Sequence, residues 1–261
     1  MVNGDERCYR LAVGALFKNE GHVMKEWIEH YLYHGVEHFY MIDDGSTDFS
    51  VALLRPYIER GLVTLWQPKW EYYLGRQRDL YNHFILPRLG ETQWLLMVDL
   101  DEFMWSPRSV DLRLVLGLAA GVGQIQVEHT VYGSNGLEEN PPSVVAGYTR
   151  RSVDQPTLRP GLRKYFINSD FRFTSLNIHH ATFERLEDEK KHFIVLDSSY
   201  FRLNHYQCQS YGFWRDVKCT RGDGDHYRVR TLEDFKEVDL NDVEDLGLLG
   251  QNGPVVDGLK E

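Results

Sequence analysis

Three carboxylates fall within four positions at Asp99-Leu100-Asp101-Glu102, directly after the apolar run Trp94-Leu95-Leu96-Met97-Val98. If the backbone there is extended, Asp99 and Asp101 project to one side and Leu100 to the other, because side chains alternate along a strand. Two hard oxygen ligands on one side suit Mg²⁺ or Mn²⁺, above all when substrate phosphates complete the coordination shell. The competing reading is a solvated acidic strand end, and only the context of the motif separates the two.

That context is an alternation of strands and helices. Leu11 to Phe17 and Val36 to Ile42 read as short buried strands, and between them Val23, Trp27, Ile28, Tyr31 and Leu32 recur at helical spacing until Gly35 closes the helix. Val51, Leu54, Tyr57 and Ile58 mark a second helix, which Pro56 should kink or split in two. Leu62 to Trp66 follows as a strand, Gly75 to Leu89 as a third helix, and Trp94 to Asp99 as the fourth strand. The pattern predicts an α/β fold with a mostly parallel sheet covered by helices on both faces.

The second half is less regular. Leu112 to Leu118 reads as a short helix, Gly123 to Tyr132 as a strand and Gly133 to Pro142 as a loop. Arg163 to Ile167, Leu176 to Phe183 and Val195 to His205 each read as a strand, with Glu184 to Lys191 as a charged turn. Ser210 to Lys218 should be a helix, and Leu240 to Leu249 a short docked helix or a loose tail. No internal repeat or linker divides the 261 residues.

Composition excludes several classes of function. A net charge of −10 argues against a nucleic-acid partner, whose backbone is gripped by clustered Lys and Arg. Cys8, Cys208 and Cys219 are odd in number and fit no zinc spacing, so the expected setting is cytoplasmic or another soluble, reducing compartment. Met1 to Arg10 holds no apolar core of a signal peptide, and 18 apolar residues never run together.

In a parallel sheet the polar strand ends Lys18-Asn19-Glu20, Asp43-Asp44-Gly45-Ser46 and Asp99-Leu100-Asp101 lie along one edge and should meet at one crevice. Neither a dinucleotide fingerprint nor a G-x-x-x-x-G-K-[ST] loop is present. An acidic crevice of this kind suits a nucleotide-sugar donor, with Asp43 or Asp44 on the base or ribose and a cation bridging Asp101 to the diphosphate. Arg76, Gln77 and Arg78 open the third helix where a phosphate or base could be met, and Arg163 and Lys164 could grip the diphosphate.

Lys18-Asn19-Glu20, Glu26-Trp27-Ile28-Glu29-His30-Tyr31, Gly35-Val36, Asp43-Asp44-Gly45-Ser46, Gln77, Asn82, Asp99-Leu100-Asp101-Glu102-Phe103 and Asn204-His205-Tyr206 together resemble glycosyltransferase family 92, over roughly residues 11 to 220. The front half is also similar to family 2-type glycosyltransferases of the GT-A fold. The resemblance implies a Rossmann-like nucleotide-diphospho-sugar transferase that is metal-dependent, usually inverting, and takes most often a UDP-sugar. Eukaryotic members normally carry a membrane anchor, which this sequence lacks, and the segment from Val144 to Pro160 follows no family pattern. On this reading the chain is a single domain: residues 1–105 bind the nucleotide sugar, 106–222 bind a glycan acceptor and 223–261 form a C-terminal extension.

Carried over residue by residue, the resemblance places Asp99 near the donor ribose, Asp101 on Mn²⁺ or Mg²⁺ and His205 as an additional metal ligand, with Glu102 only orienting the loop. His179 and His180 compete with His205, and a histidine satisfied within the core is the plain alternative. Inversion needs a general base beside the acceptor hydroxyl, for which Glu128 is the first candidate and Asp216 and Asp197 follow. Trp70, Tyr72, Tyr73, Tyr132 and Trp214 could floor a sugar site. A retaining transferase and an inactive nucleotide-sugar or glycan-binding module are the alternatives. A glycosidase is disfavoured, since no two carboxylates can be assigned to opposite sides of a glycosidic bond.

Overall fold

The computed structural model describes residues 7–153, 163–221 and 229–260. Parts of the unpatterned segment from Val144 to Pro160 and of the C-terminal extension therefore lie outside the described residues, as does most of the amino terminus. The strands in chain order are β1 (Tyr9–Phe17), β2 (His38–Asp43), β3 (Val63–Trp66), β4 (Thr92–Met97), β5 (Glu102–Trp105), β6 (Gln124–Val131) and β7 (Arg150–Arg151), then β8 (Arg163–Asn168), β9 (Phe173–Leu176), β10 (Ala181–Phe183), β11 (Phe193–Leu196), β12 (Arg202–His205) and β13 (Val243–Glu244).

The main sheet runs β3-β2-β1-β4-β8-β6-β12-β5, with β11 also paired to β6. Pairing is parallel from β3 through β4 and between β6 and each of β11 and β12; β8 is antiparallel to both its neighbours, and β5 is antiparallel to β12. The expected mostly parallel α/β sheet is therefore present. Its chain order reverses at β1: β2 and β3 lie on one side and β4 on the other, so β1 and β4 flank the switch point where open α/β sheets bind ligands.

Side-chain alternation splits the core between the two faces. Leu11, Val13, Phe39, Leu96 and Phe166 pack with Trp27 and Tyr31 of the helix Gly21–Tyr33 and with Leu248 of the helix Gly247–Gly258. Ala12, Tyr40, Leu95 and Tyr165, one position out of phase, pack with Tyr81, Ile85 and Leu89 on the opposite face. Gly35 closes the first helix at φ +90, and a Cβ there would lie 2.4 Å from Asp111 Oδ1, so both conformation and space require glycine.

Several elements depart from the sequence reading. The helix Ser50–Glu59 is continuous; Pro56 sits in its last turn, where its missing N–H costs at most one hydrogen bond, and buried Leu54 and Tyr57 anchor it. The third helix changes character twice, from α over Arg76–Leu80 to a π turn over Tyr81–Ile85 and a 3₁₀ stretch over Leu86–Glu91, where Pro87 removes a donor. Leu176 to Phe183 is not one strand but the end of β9, a turn and β10 of one hairpin, the turn closed by Asn177 N–H to the His180 carbonyl at 2.8 Å. Val195 to His205 divides into β11 and β12 around a turn in which Asp197 accepts the Ser199 N–H at 2.8 Å. The charged turn is a helix, Leu186–His192, and the Asp-rich tail contributes β13 before the helix Gly247–Gly258. Among the described residues no helix is long and apolar enough to cross a membrane.

Candidate active site

The acidic motif leaves β4 as a turn rather than as an extended strand, so alternation does not set its side chains. Two residues of the helix Gly21–Tyr33, four apart and thus on one face, hold it. Trp27 Nε1 donates to the carbonyls of Asp99 and Glu102, both at 3.1 Å, and Tyr31 Oη donates to Glu102 at 3.0 Å while accepting the Met104 N–H at 2.9 Å. The Glu102 carboxylate closes the turn by accepting the Asp99 N–H at 2.8 Å. This curl brings one carboxylate oxygen each of Asp99, Asp101 and Glu102 within 4.8 Å of one another.

The cluster is embedded in counter-charge. Lys164 on β8, with 2% of its side chain exposed, places Nζ 2.7 Å from Asp99 and 3.5 Å from Glu102. Glu102 Oε1 lies 3.0 Å from His129 Nε2 on β6. His205, the last residue of β12, approaches one Asp101 oxygen at 3.6 Å, and Lys218 approaches the other at 3.2 Å. Burial opposes ionisation of Asp101 and Glu102, yet Lys218 and His205 hold the first carboxyl well below its usual range, and Lys164 and His129 do the same for the second. Burial raises the Asp99 carboxyl, with Lys164 only partly offsetting it. Burial lowers His129, whereas for His205 the Asp101 carboxylate overcomes burial and raises it.

Glu102, expected only to orient the loop, is the carboxylate common to two potential ligand sets: Asp99, Asp101 and Glu102, and Glu102, His129 and His205. His205 Nδ1 is buried and has no hydrogen-bond partner among the described residues. The three carboxylates form a hard-oxygen donor set that fits Mn²⁺ or Mg²⁺, and the two imidazoles add borderline nitrogen donors that suit a transition ion such as Mn²⁺ better than Mg²⁺. His129 and Lys218 were not picked out from sequence; each reaches the motif from a distant strand or turn, and neither has a local signature.

The other two strand ends lie on the same edge, with Phe17 in register with Asp43. Asn19 adopts φ +55 and accepts the Thr47 N–H at 2.7 Å, while Ser46 Oγ receives the Asn19 N–H and Ser50 Oγ the Glu20 N–H, both at 2.9 Å. Asn19 and Glu20 thereby stitch the two loops together. Lys18 is exposed, and Arg221 binds both its carbonyl and the Glu20 carboxylate. Asp43 is buried and accepts from Ser46 N at 2.8 Å and Gln67 Nε2 at 2.9 Å; Asp44 pairs with buried Arg76, and Gln77 donates to Tyr81 Oη at 2.7 Å.

The three candidate bases do not share the cluster's surroundings. Glu128 alternates with His129 on β6, so it faces the opposite side of the sheet, where Arg163 binds it at 2.7 Å. Asp197 caps the turn between β11 and β12, and solvent-facing Asp216 is bound by its neighbour Arg215. His179 Nδ1 meets the Arg163 carbonyl at 3.1 Å, and His180 is exposed. Tyr132 and Trp214 are packed in the core and offer no face to a sugar, while Tyr72 and Tyr73 are exposed and Trp70 packs on His83 and Phe84.

Comparison with known proteins gives a consistent picture. The sequence profile described as glycosyltransferase family 92 matches residues 12–245. A family 92 protein of Ricinus communis is 22% identical over 81% of this chain and 38% of its own length, and one of Oryza sativa subsp. japonica is 24% identical over 80% and 35%. The chain thus spans little more than a third of these relatives. Among solved structures, S. aureus TarS 1-349 in complex with UDP-GlcNAc is similar over 96% of this chain and 71% of its own, with 14% identity and a TM-score of 0.46. Glucosyl-3-phosphoglycerate synthase from Mycobacterium tuberculosis, in complex with Mn²⁺, UDP and phosphoglyceric acid, is similar over 62% and 56%, with 16% identity and a TM-score of 0.32.

Proposed function

The chain belongs to glycosyltransferase family 92, and on that premise we propose that it moves a sugar from a UDP-sugar to a hydroxyl of a glycan acceptor, with metal dependence and inversion. The observation that carries this reading is the convergence of Asp99, Asp101 and Glu102 beside the β1–β4 switch point, where open α/β sheets take nucleotide ligands. Asp101, Glu102 and His205 are the proposed ligands of Mn²⁺ or Mg²⁺, with Asp99 directed to the ribose. Bound there, the metal supplies Lewis acidity toward the leaving diphosphate.

This chain's own residues do the rest. Asp43 and Asp44, fixed by Gln67 and Arg76, present the loop that faces the base and ribose. Lys164 holds Asp99 and Glu102 in place and favours the ionised form of buried Glu102. Among the candidate bases we favour Asp216, because its turn also carries the Lys218 that reaches Asp101. Residues 1–105 would form the donor half and 106–222 the acceptor half. The C-terminal helix buttresses the donor half, since Asn252 bonds His30 and His34, each at 2.8 Å.

The test is product formation from a panel of UDP-sugars and glycan acceptors with Mn²⁺, with and without excess chelator. Transfer should require metal and vanish in Asp101→Asn with the fold intact. Full transfer in that variant or in chelator would overturn the metal reading, and a product of retained anomeric configuration would overturn inversion.

A further inference from the structure

Two lysines neutralise the three carboxylates, and they are held differently. Lys164 projects from the middle of the sheet, is almost fully enclosed and contacts two carboxylates at once. Lys218 ends the π turn Trp214–Lys218, keeps 18% of its side chain exposed and among the described residues pairs with one carboxylate, Asp101. Its Nζ lies 5.8 Å from the Phe213 ring centroid, and among the described residues Asp101 is the carboxylate it pairs with.

We propose that Lys218 is a resident counter-cation of Asp101, which a divalent ion displaces and whose freed ammonium then binds the donor diphosphate. The inference rests on the metal-dependent reading above and concerns what happens to the cation already present. Asp101 has one resident on each oxygen, His205 and Lys218. An imidazole that gives up its proton presents a lone pair and becomes a ligand, so His205 can stay. An ammonium has three N–H groups and no lone pair, so Lys218 can only compete. A divalent ion at about 2.1 Å from the oxygen that Lys218 contacts would lie within about 5 Å of its Nζ. In that confined site such like charges repel strongly.

Displacement moves Lys218 to a useful place. Three residues on from Lys218, Arg221 already reaches the Lys18 carbonyl and the Glu20 carboxylate just past the end of β1. The stretch Trp214–Arg221 therefore arches from β4 to β1 over the edge where the donor is proposed to lie. A flexible four-carbon stem carrying a compact charge suits a phosphate oxygen there. The lysine thus keeps the buried carboxylates neutralised in the resting protein, and metal and diphosphate arrive as partners: the metal frees the lysine, and the diphosphate gives it a new anion.

Mn²⁺ binding to the whole chain, followed by the electron paramagnetic resonance of free Mn²⁺, tests this without turnover. Without nucleotide, Lys218→Met and Lys218→Gln should bind Mn²⁺ about tenfold more tightly than wild type, equivalent to about 1.4 kcal/mol. They should also lose part of the mutual strengthening between Mn²⁺ and UDP, which must be equal in both directions. Unchanged or weaker Mn²⁺ binding in both variants overturns the proposal. In the wild type, acylation of Lys218 by an amine-reactive ester, read by peptide mass spectrometry, should accelerate with Mn²⁺ alone and slow again with Mn²⁺ and UDP; an insensitive rate overturns it independently of any variant. Asp101→Asn should bind no Mn²⁺, and if it binds as wild type does, the metal reading itself fails.

Discussion

Lys164→Met removes a positive charge with 2% side-chain exposure from between Asp99 and Glu102 while nearly preserving volume, so packing loss is minor and the effect is electrostatic. Glu102, 1% exposed, is then left with His129, whose charge burial disfavours, and Asp99 keeps no cation at 2.7 Å. Breaking a buried ion pair by deleting one partner costs about 3–5 kcal/mol. For a chain of this size each kcal/mol moves the melting temperature by about 2 °C, so the expected drop is about 6–10 °C. The assay is thermal or urea unfolding at neutral pH in chelator, repeated with Lys164→Met/Glu102→Gln. The double variant should recover part of the loss, because the two residues touch and their effects are non-additive. Saturating Mn²⁺ should raise the single variant's melting temperature by binding the folded state alone. A drop below about 2 °C, or additive effects in the double variant, would refute the view that Lys164 is what allows these carboxylates to be buried and ionised.

Further expectations follow from other contacts. Burial lowers His30 well below its usual pKa and lowers His34 as well, so their contribution to stability is complete above about pH 6.5 and is lost progressively as pH falls from there toward the lower folded-state values. The unfolding free energy from urea titration should therefore fall as pH drops from about 6.5 to 5.5, by up to about 1.4 kcal/mol per pH unit for each histidine, and His30→Gln should flatten the profile. A Cβ at Gly133 would sit 2.7 Å from the Leu240 carbonyl oxygen, so Gly133→Ala should destabilise by about 1–3 kcal/mol and expose the C-terminal segment to limited proteolysis. Buried Glu26 accepts Ser143 Oγ at 2.7 Å and the N–H groups of Val144 and Val145 at 2.6 and 3.1 Å. Glu26→Ala should lower stability by about 2–4 kcal/mol in urea unfolding, because three donors lose their acceptor. Asp216→Asn and Glu128→Gln compared at saturating donor should separate the candidate bases, with kcat falling at least about 10²-fold for Asp216 alone.

The polar edge at the switch point was legible because its information is local. Leu11 to Phe17, Phe39 to Ile42 and Trp94 to Val98 are apolar on both faces, the pattern of a doubly covered strand, and each run stops at polar residues. Parallel pairing then forces those stops onto one edge. The turn after β11 was equally local, in Asp197-Ser198-Ser199, but the apolar residues on either side masked it, as the strand-forming residues around Asn177 to His180 masked the β9–β10 hairpin.

The counter-charge of the cluster obeys a different logic. Holding three carboxylates within 4.8 Å of one another, with Glu102 buried, needs cations to meet them, so the motif itself required partners that no spacing rule could name. Lys164 comes from a strand inserted antiparallel between β4 and β6, and His129 and His205 from the two neighbouring parallel strands; all three meet Asp99 to Glu102 only because the β8–β6–β12 segment closes against β4. The irregular second half is thus where the charge of the regular first half is balanced. It follows that substitutions which loosen β8 or β12 should weaken metal binding as well as the fold, whereas equally destabilising changes on the face of Tyr81 and Ile85 should lower stability and leave Mn²⁺ affinity in the folded protein unchanged.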